Sequence, residues 1–223
     1  MPREEHLAGA LTVLTRFLAA APLTSAIADL EFELEGRKQA ELEDVLGVRG
    51  VSPELLRAAF LVRREFGRVN DLIHAAAIVL SLPHILEPGE TLRRPSLAAG
   101  NDPSRPFDVE TDRRVAEFKL SRWDGNDAMR KRHVFKDLVH LAVEESNRAA
   151  ELYVLGARPV RFLRATRSSV SWALDRFPAT RVLFEQRFGD LVMPIPDFVS
   201  EQAARVEIID LEGRLPALFP PEE

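Results

Sequence analysis

The sequence predicts an α/β protein in which a mixed central sheet is flanked by helices and preceded by a helical N-terminal extension. Three observations support this prediction. Apolar residues recur at helical spacing through the first half of the chain, short strand-like runs separated by turns occupy the middle, and a fully apolar strand follows a helix in the second half. A strand that is apolar on both faces is typical of a sheet covered by helices on both sides.

The composition is that of a globular protein of 223 residues, with 46% hydrophobic residues, 29% charged residues and no cysteine. The lack of cysteine excludes disulfides, thiol catalysis and cysteine-ligated zinc, so any metal has to take oxygen or nitrogen ligands. The N-terminal apolar run is interrupted by Thr12, Thr15 and Arg16 and fits neither a signal peptide nor a membrane span. We therefore expect a cytoplasmic protein without membrane contact.

The first half of the chain is predicted to be helical. Apolar residues follow helical spacing over 4–20 and 25–46. Ser52-Pro53-Glu54 is typical of a helix start, because Ser caps the first turn and Pro is preorganised there, and this helix should end near Phe66. The segment 70–82 is apolar on nearly every side, which predicts a buried helix ended by Pro83.

The second half is predicted to alternate strands with helices. The predicted strands are 106–110, 115–121, 152–156 and 160–163, with turns at 100–103 and 123–126. The predicted helices are 127–149, 168–175 and 179–188, before a Pro-rich tail. This order divides the chain into a helical extension over 1–68, a core over 69–165, and C-terminal helices over 166–223 that pack on the core.

The two central strands predict a hairpin that brings carboxylates together. With a turn centred between Asp112 and Arg113, Asp108 faces Glu117, and side chains alternate between the two faces. The apolar face comprises Phe107, Val109, Ala116, Phe118 and Leu120. The other face comprises Asp108, Glu110, Val115, Glu117 and Lys119. Directly opposed carboxylates repel each other, and a divalent cation would offset that repulsion.

Lys119 adds a cation to the polar face, two residues beyond Glu117. Its ammonium group would position an attacking water or stabilise charge that develops on a phosphoryl group. The backbone carbonyl of Phe118 is a further candidate ligand. The pattern therefore predicts Mg²⁺ or Mn²⁺ bound by Asp108, Glu117 and Phe118, with Lys119 as the catalytic lysine.

The motif and its surroundings resemble the PD-(D/E)XK nuclease superfamily, which includes many restriction enzymes, repair nucleases and RecB-like domains. An Asp is followed by Glu-x-Lys at the end of the next strand, with helices before it and a helix and a buried strand after it. The resemblance covers residues 69–165. It implies a restriction-endonuclease-like αβα core, metal binding by Asp108 and Glu117, and catalytic assistance by Lys119.

The chain departs from the pattern of this family at two places. Pro106 stands two residues before Asp108, and the helix over 69–82 lacks the Glu that many members contribute to the site. That helix offers Asn70, Asp71 and His74 as accessory candidates. Arg130 resembles the Gln, Arg or Tyr that some members place near the phosphate, although a solvated helix face explains it equally well.

The resemblance implies a metal-dependent nuclease that hydrolyses phosphodiester bonds of DNA or RNA. The alternative is a catalytically inactive module of the same fold that binds nucleic acid or protein, with the helical N-terminal half serving a protein partner or a homodimer. The motif itself has a simpler explanation as an exposed hairpin with solvated charges. The arginine-rich segment 157–187 either follows a phosphate backbone or pairs with the acidic segment 29–54.

Overall fold

The computed structural model of the chain describes residues 3–19, 21–35, 37, 39–97, 107–125 and 127–220. The chain forms two compact units, Met1–Val69 and Asn70–Glu223. Within the described ranges, no helix is both long enough and apolar enough to cross a membrane. The turn predicted at 100–103 lies outside the described residues.

The N-terminal unit is helical, as predicted. Its helices are α1 (Arg3–Leu18), α2 (Leu23–Leu34), α3 (Gln39–Val48) and α4 (Pro53–Phe66). α4 begins where the sequence predicts, because the Ser52 hydroxyl accepts a hydrogen bond from the Leu55 N–H. The single helix predicted over 25–46 is wrong. Glu35 leaves the helical conformation at the end of α2, with ψ of 125°.

The C-terminal unit contains a five-stranded mixed sheet with helices on both faces. Its strands, in spatial order, are β1 (Leu92–Pro95), β2 (Val109–Thr111), β3 (Arg114–Lys119), β4 (Ala149–Val154) and β5 (Val206–Asp210). Its helices are α5 (Val69–Ile85), α6 (Ala128–Val143), α7 (Ala157–Ala165), α8 (Val170–Leu174), α9 (Pro178–Phe188), α10 (Ile195–Glu201) and α11 (Leu211–Arg214). β1, β2 and β3 are antiparallel, whereas β3, β4 and β5 are parallel. This confirms the predicted α/β class and the mixed sheet.

The hairpin of β2 and β3 has the predicted register, since Val109 pairs with Ala116. The apolar face of the hairpin packs on α5, where Phe118 joins a buried cluster with Ile78. Phe107 is an exception to the predicted face. It lies before the first residue of β2 and belongs to the hydrophobic cluster on the opposite side of the sheet, with Val115 and helix α6.

α5 differs from the prediction in two respects. It continues through Pro83 to Ile85, and it is not buried all round. Leu72 and Leu80 are more than half exposed, because the helix covers the sheet with only one face. Apolar composition alone did not indicate which face that is.

Two further predictions for the C-terminal unit are wrong, and one strand is missed. α6 ends at Val143, and the residues predicted as the end of this helix include the start of β4. Residues 160–163 belong to α7 instead of a strand, because Gly156 turns the chain out of β4 with φ of 83° and a helix starts directly after it. β5 was not predicted at all, so the segment after 166 adds a strand to the sheet as well as helices.

Candidate functional site

Asp108 lies directly before β2 and is fixed by two neighbouring elements. Its Oδ2 accepts a hydrogen bond from the backbone N–H of Phe118 in β3, at 2.8 Å. Its Oδ1 lies 3.2 Å from Nε2 of His74, which α5 contributes. The carboxylate therefore continues the hairpin pairing beyond the last backbone bridge and ties the end of the hairpin to α5.

Glu117 and Lys119 project from the α6 side of β3, as their two-residue spacing predicts. Nζ of Lys119 lies 3.5 Å from Oε2 of Glu117 and 2.8 Å from Oδ2 of Asp137, which α6 contributes. We refer to His74, Asp108, Glu117, Lys119 and Asp137 as the carboxylate–lysine cluster.

Asp137 reaches the cluster because α6 packs its neighbours into the core. Phe135 and Leu138 are fully buried beneath the helix, and Asp137, between them in the sequence, is only 7% exposed. A buried carboxylate requires a partner of opposite charge. Lys119 is that partner, and Lys136 approaches the other oxygen of Asp137 at 3.7 Å.

Burial and two neighbouring carboxylates oppose the ionisation of Glu117. Burial raises the pKa of Glu117 well above its usual range, and the carboxylates of Asp108 and Asp137 act in the same direction. Lys119 lowers this pKa but does not compensate for the other effects. Without a metal, a proton on Glu117 therefore relieves the repulsion between this carboxyl group and Asp108.

Whereas Glu117 is held in its neutral form, the pKa shifts of Asp108 and Lys119 hold both of these groups in their charged forms. Burial alone would raise the pKa of Asp108, yet the hydrogen bond and charge of His74, the charge of Lys119 and the N–H of Phe118 together lower it. Burial alone would lower the pKa of Lys119, but Asp137 and Glu117 raise it above its usual range. Lys119 is thus a persistent cation.

The accessory candidates divide into one residue inside the cluster and three outside it. His74 contacts Asp108. Asn70 is exposed at the start of α5, and Asp71 is half-buried one turn before His74. Arg130 lies in the first turn of α6, where its guanidinium pairs with Asp127 instead of pointing to the cluster.

Comparison with models of protein families, with curated proteins and with solved structures finds no match for this chain. We therefore infer its function from the chemistry of its own residues.

The donor atoms of the cluster suit a hard cation. Asp108 and Glu117 provide carboxylate oxygens, and a carboxylate oxygen has more than one acceptor position. The Lys119 carbonyl accepts from Leu155 N on the β4 side, at 3.2 Å. Successive carbonyls of a strand alternate in direction, so the Phe118 carbonyl points to the side of Asp108. The Asp108, Glu117 and Phe118 oxygens are the ligands that the sequence predicts, and their role as a set stays a prediction.

The number of protein ligands in this set is small. Among the described residues, no group of three or more His, Cys, Asp or Glu side chains is arranged to hold a metal ion. A cation between Asp108 and Glu117 would depend on the Phe118 carbonyl, water and substrate for its other ligands. That is the coordination Mg²⁺ prefers, since it binds through one or two carboxylates and retains several waters.

Proposed function

We propose that this chain is a metal-dependent nuclease that hydrolyses phosphodiester bonds of DNA or RNA. The observation that carries the proposal is the approach of the half-buried Asp108 to the buried Glu117, beside the cation of Lys119. Two carboxylates confined in this way are unfavourable unless a proton or a metal ion neutralises them, as the raised pKa of Glu117 indicates.

The order of elements around the cluster supports the restriction-endonuclease-like fold that the motif implies. A helix, α5, precedes the strands, the Glu-x-Lys sequence ends β3, and α6 then leads to the buried strand β4, parallel to β3. The carboxylates and the lysine thus occupy the end of a rigid hairpin, where backbone pairing fixes their separation.

The residues of the cluster have distinct roles in the proposed reaction. Asp108, Glu117 and the Phe118 carbonyl would hold the metal ion. A bound Mg²⁺ or Mn²⁺ ion would supply Lewis-acid stabilisation of the phosphate and lower the pKa of water at the site. Lys119 stays protonated because Asp137 and Glu117 raise its pKa, so it stabilises negative charge on the phosphate and orients water, and it does not act as a base.

The test is cleavage of labelled single- and double-stranded DNA and RNA with Mg²⁺ or Mn²⁺. We expect Asp108→Ala, Glu117→Ala and Lys119→Met each to lower cleavage by at least about 100-fold, since each removes a charge from the reacting centre. Lys131→Met is the matched control for Lys119 and should cleave at the wild-type rate. Cleavage by Lys119→Met at the wild-type rate, or no cleavage of any substrate by the wild type, would contradict the proposal.

A catalytically inactive binding module is the second candidate. One observation favours it: Lys119 already pairs with Glu117 and Asp137, so the cluster partly balances its own charge. Thermal unfolding with and without Mn²⁺ separates the two candidates. A metal site raises the melting temperature of the wild type but not that of Asp108→Ala, whereas a self-balanced ionic cluster shows no response to the metal in either protein.

A further inference from the structure

α7 presents a row of arginines on the surface of the C-terminal unit. The helix buries Pro159, Phe162 and Leu163 in the core. Arg161 and Arg164 lie on its exposed side, and the exposed Arg167 follows two residues after the helix. We call Arg161, Arg164 and Arg167 the arginine ridge.

The three arginines of the ridge have no ion-pair partner among the described residues. Across the part of the chain that the structure describes, the side chains of the ridge make no hydrogen bond, ion pair or ring contact. The segment 157–174 contains no acidic residue. The ridge itself therefore carries three positive charges without an ion-pair partner, although the whole chain has a net charge of −5 and α10, which packs against α7, carries the exposed Asp197 and Glu201.

Exposed arginines elsewhere in the same unit behave differently. Arg176 lies 3.6 Å from Asp175, Arg181 lies 3.4 Å from Glu185, and Arg187 lies 3.5 Å from Glu145. These residues are exposed arginines like those of the ridge. The ridge differs from them because its arginines have no carboxylate partner among the described residues.

The helix that carries most of the ridge, α7, starts at the edge of the sheet that also carries Lys119. β3 and β4 are parallel, so Lys119 at the end of β3 and Val154 at the end of β4 share one edge. α7 begins three residues after Val154. A polar cavity of about 450 Å³ opens at this edge, and Trp123 and Arg158, joined by a hydrogen bond of 2.5 Å, are among the residues that line it.

We propose that the arginine ridge binds the phosphate backbone of a nucleic-acid strand outside the bond that is cleaved, an inference that rests on the proposed nuclease function. Guanidinium groups bind phosphate oxygens in a bidentate manner, and contacts of this kind position a strand without reading its sequence. Arg161 and Arg164 are about 4.5 Å apart along the helix axis, so both reach one strand. An anionic membrane is the less suitable partner, because the apolar face of α7 is buried and cannot insert.

The experiment measures binding apart from cleavage. The full-length protein is titrated in EDTA against fluorescently labelled single-stranded and duplex DNA of about 30 nucleotides, at several salt concentrations between about 50 and about 200 mM. The test variant is Arg161→Gln/Arg164→Gln/Arg167→Gln. The matched control, Arg176→Gln/Arg181→Gln/Arg187→Gln, removes the same charge from the same unit but takes it from paired arginines.

The ridge variant should lower the slope of log K against log salt by about 2 to 3, because each lost phosphate contact removes about 0.7 to 0.9. At about 0.1 M salt this corresponds to a loss of affinity on the order of 100-fold. The control should lose far less, and melting temperatures of both variants should match the wild type.

The outcomes are separable. Equal losses of affinity in the ridge variant and the control overturn the inference. The inference is also overturned if the wild type binds phosphatidylserine vesicles but neither oligonucleotide. Ridge-dependent binding without cleavage under any metal condition supports the ridge and contradicts the proposed nuclease function. If cleavage is lost in Asp108→Ala but binding and cleavage by the ridge variant match the wild type, the proposed nuclease function is supported and the role of the ridge is contradicted.

Discussion

At the scale of single residues, the site depends on how Asp137 and Glu117 share the charge of Lys119. The hairpin residues Asp108, Glu117 and Lys119 could be predicted from the sequence because strand alternation and turn position are short-range properties. Asp137 could not be placed beside them, since its approach depends on how α6 packs. One signal was available: an acidic residue within the apolar stripe of a predicted helix is unusual without a buried partner.

Asp137 should act as a positioning residue for Lys119. In the wild type, Oδ2 of Asp137 lies 2.8 Å from Nζ of Lys119. Asp137→Asn keeps a hydrogen-bond acceptor there but removes the negative charge that holds the Lys119 side chain in place. We expect kcat to fall by about 10- to 100-fold with little change in KM, by analogy with residues that orient metal ligands. Asp137→Glu should recover part of kcat. The control is Asp175→Asn on the exposed surface, and equal kcat in Asp137→Asn and the wild type would contradict this role.

Glu117 should make the metal-free protein less stable at higher pH. Its folded-state pKa is raised, so its contribution is fully present below the unfolded-state pKa and is lost as the pH rises through the folded-state value. Glu117→Gln stays neutral, and its melting temperature should therefore exceed that of the wild type by a margin that grows with pH. Thermal unfolding in EDTA across the acid to mildly alkaline range measures this margin. The exposed Glu207→Gln variant is the control, and a melting-temperature margin for Glu117→Gln that does not change with pH would contradict the assignment.

At the scale of elements, the strands and helices that local signals define were predicted, and those that long-range contacts define were not. The hairpin register followed from alternation, and the start of α4 from Ser52 and Pro53. The end of α6 did not follow from local signals, because Arg205, in the loop before β5, donates hydrogen bonds to the carbonyls of Leu141 and Glu144. A cap provided from so far along the chain leaves no mark in the sequence of the helix itself.

A buried ionic cluster joins β3 to β4 at the end of the strands opposite Lys119. Arg114 of β3 contacts Glu90 at 2.6 Å and Glu151 of β4 at 2.8 Å, and the three side chains are at most 9% exposed. The Tyr153 hydroxyl donates to Glu151 at 2.7 Å. Despite burial, hydrogen bonds from Arg114, the Glu87 N–H and Thr111 lower the pKa of Glu90 to about 2.

Removal of Arg114 should therefore be costly. Arg114→Met leaves Glu90 and Glu151 buried without their cation, and we expect a loss of about 3 to 5 kcal/mol in the free energy of unfolding. The adjacent Arg113→Met is the control, because Arg113 is 45% exposed and pairs with the exposed Glu87, which limits its effect to about 1 kcal/mol. Urea unfolding measures both. Similar losses in the two variants would show that the buried cluster does not stabilise the sheet as described.

At the scale of the whole molecule, the buried hydrophobic clusters and the carboxylate–lysine cluster belong to one unit. Both hydrophobic clusters consist of residues between Ile78 and Phe219. The N-terminal unit instead leaves large apolar side chains exposed, including Phe32 at 80% and Phe60 at 60%. A protein partner or a second copy of the chain on this helical half stays a prediction, because the sequence predicts helices there without indicating what covers them.

This distribution predicts that residues 69–223, which keep all of α5, fold without the N-terminal unit. The sheet, the helices on both of its faces and the ionic cluster of Arg114 lie in this segment, so its core burial does not require residues 1–68. The fragment should show a cooperative thermal transition and a far-ultraviolet circular dichroism spectrum with a sheet component. If it also retains the Mn²⁺-dependent rise in melting temperature expected of the full chain, the metal site is complete within the fragment. A fragment that unfolds without cooperativity would show that the N-terminal helices contribute to the core. A fragment that unfolds cooperatively but shows no response to Mn²⁺, although the full chain does respond, would show that the metal site requires residues 1–68.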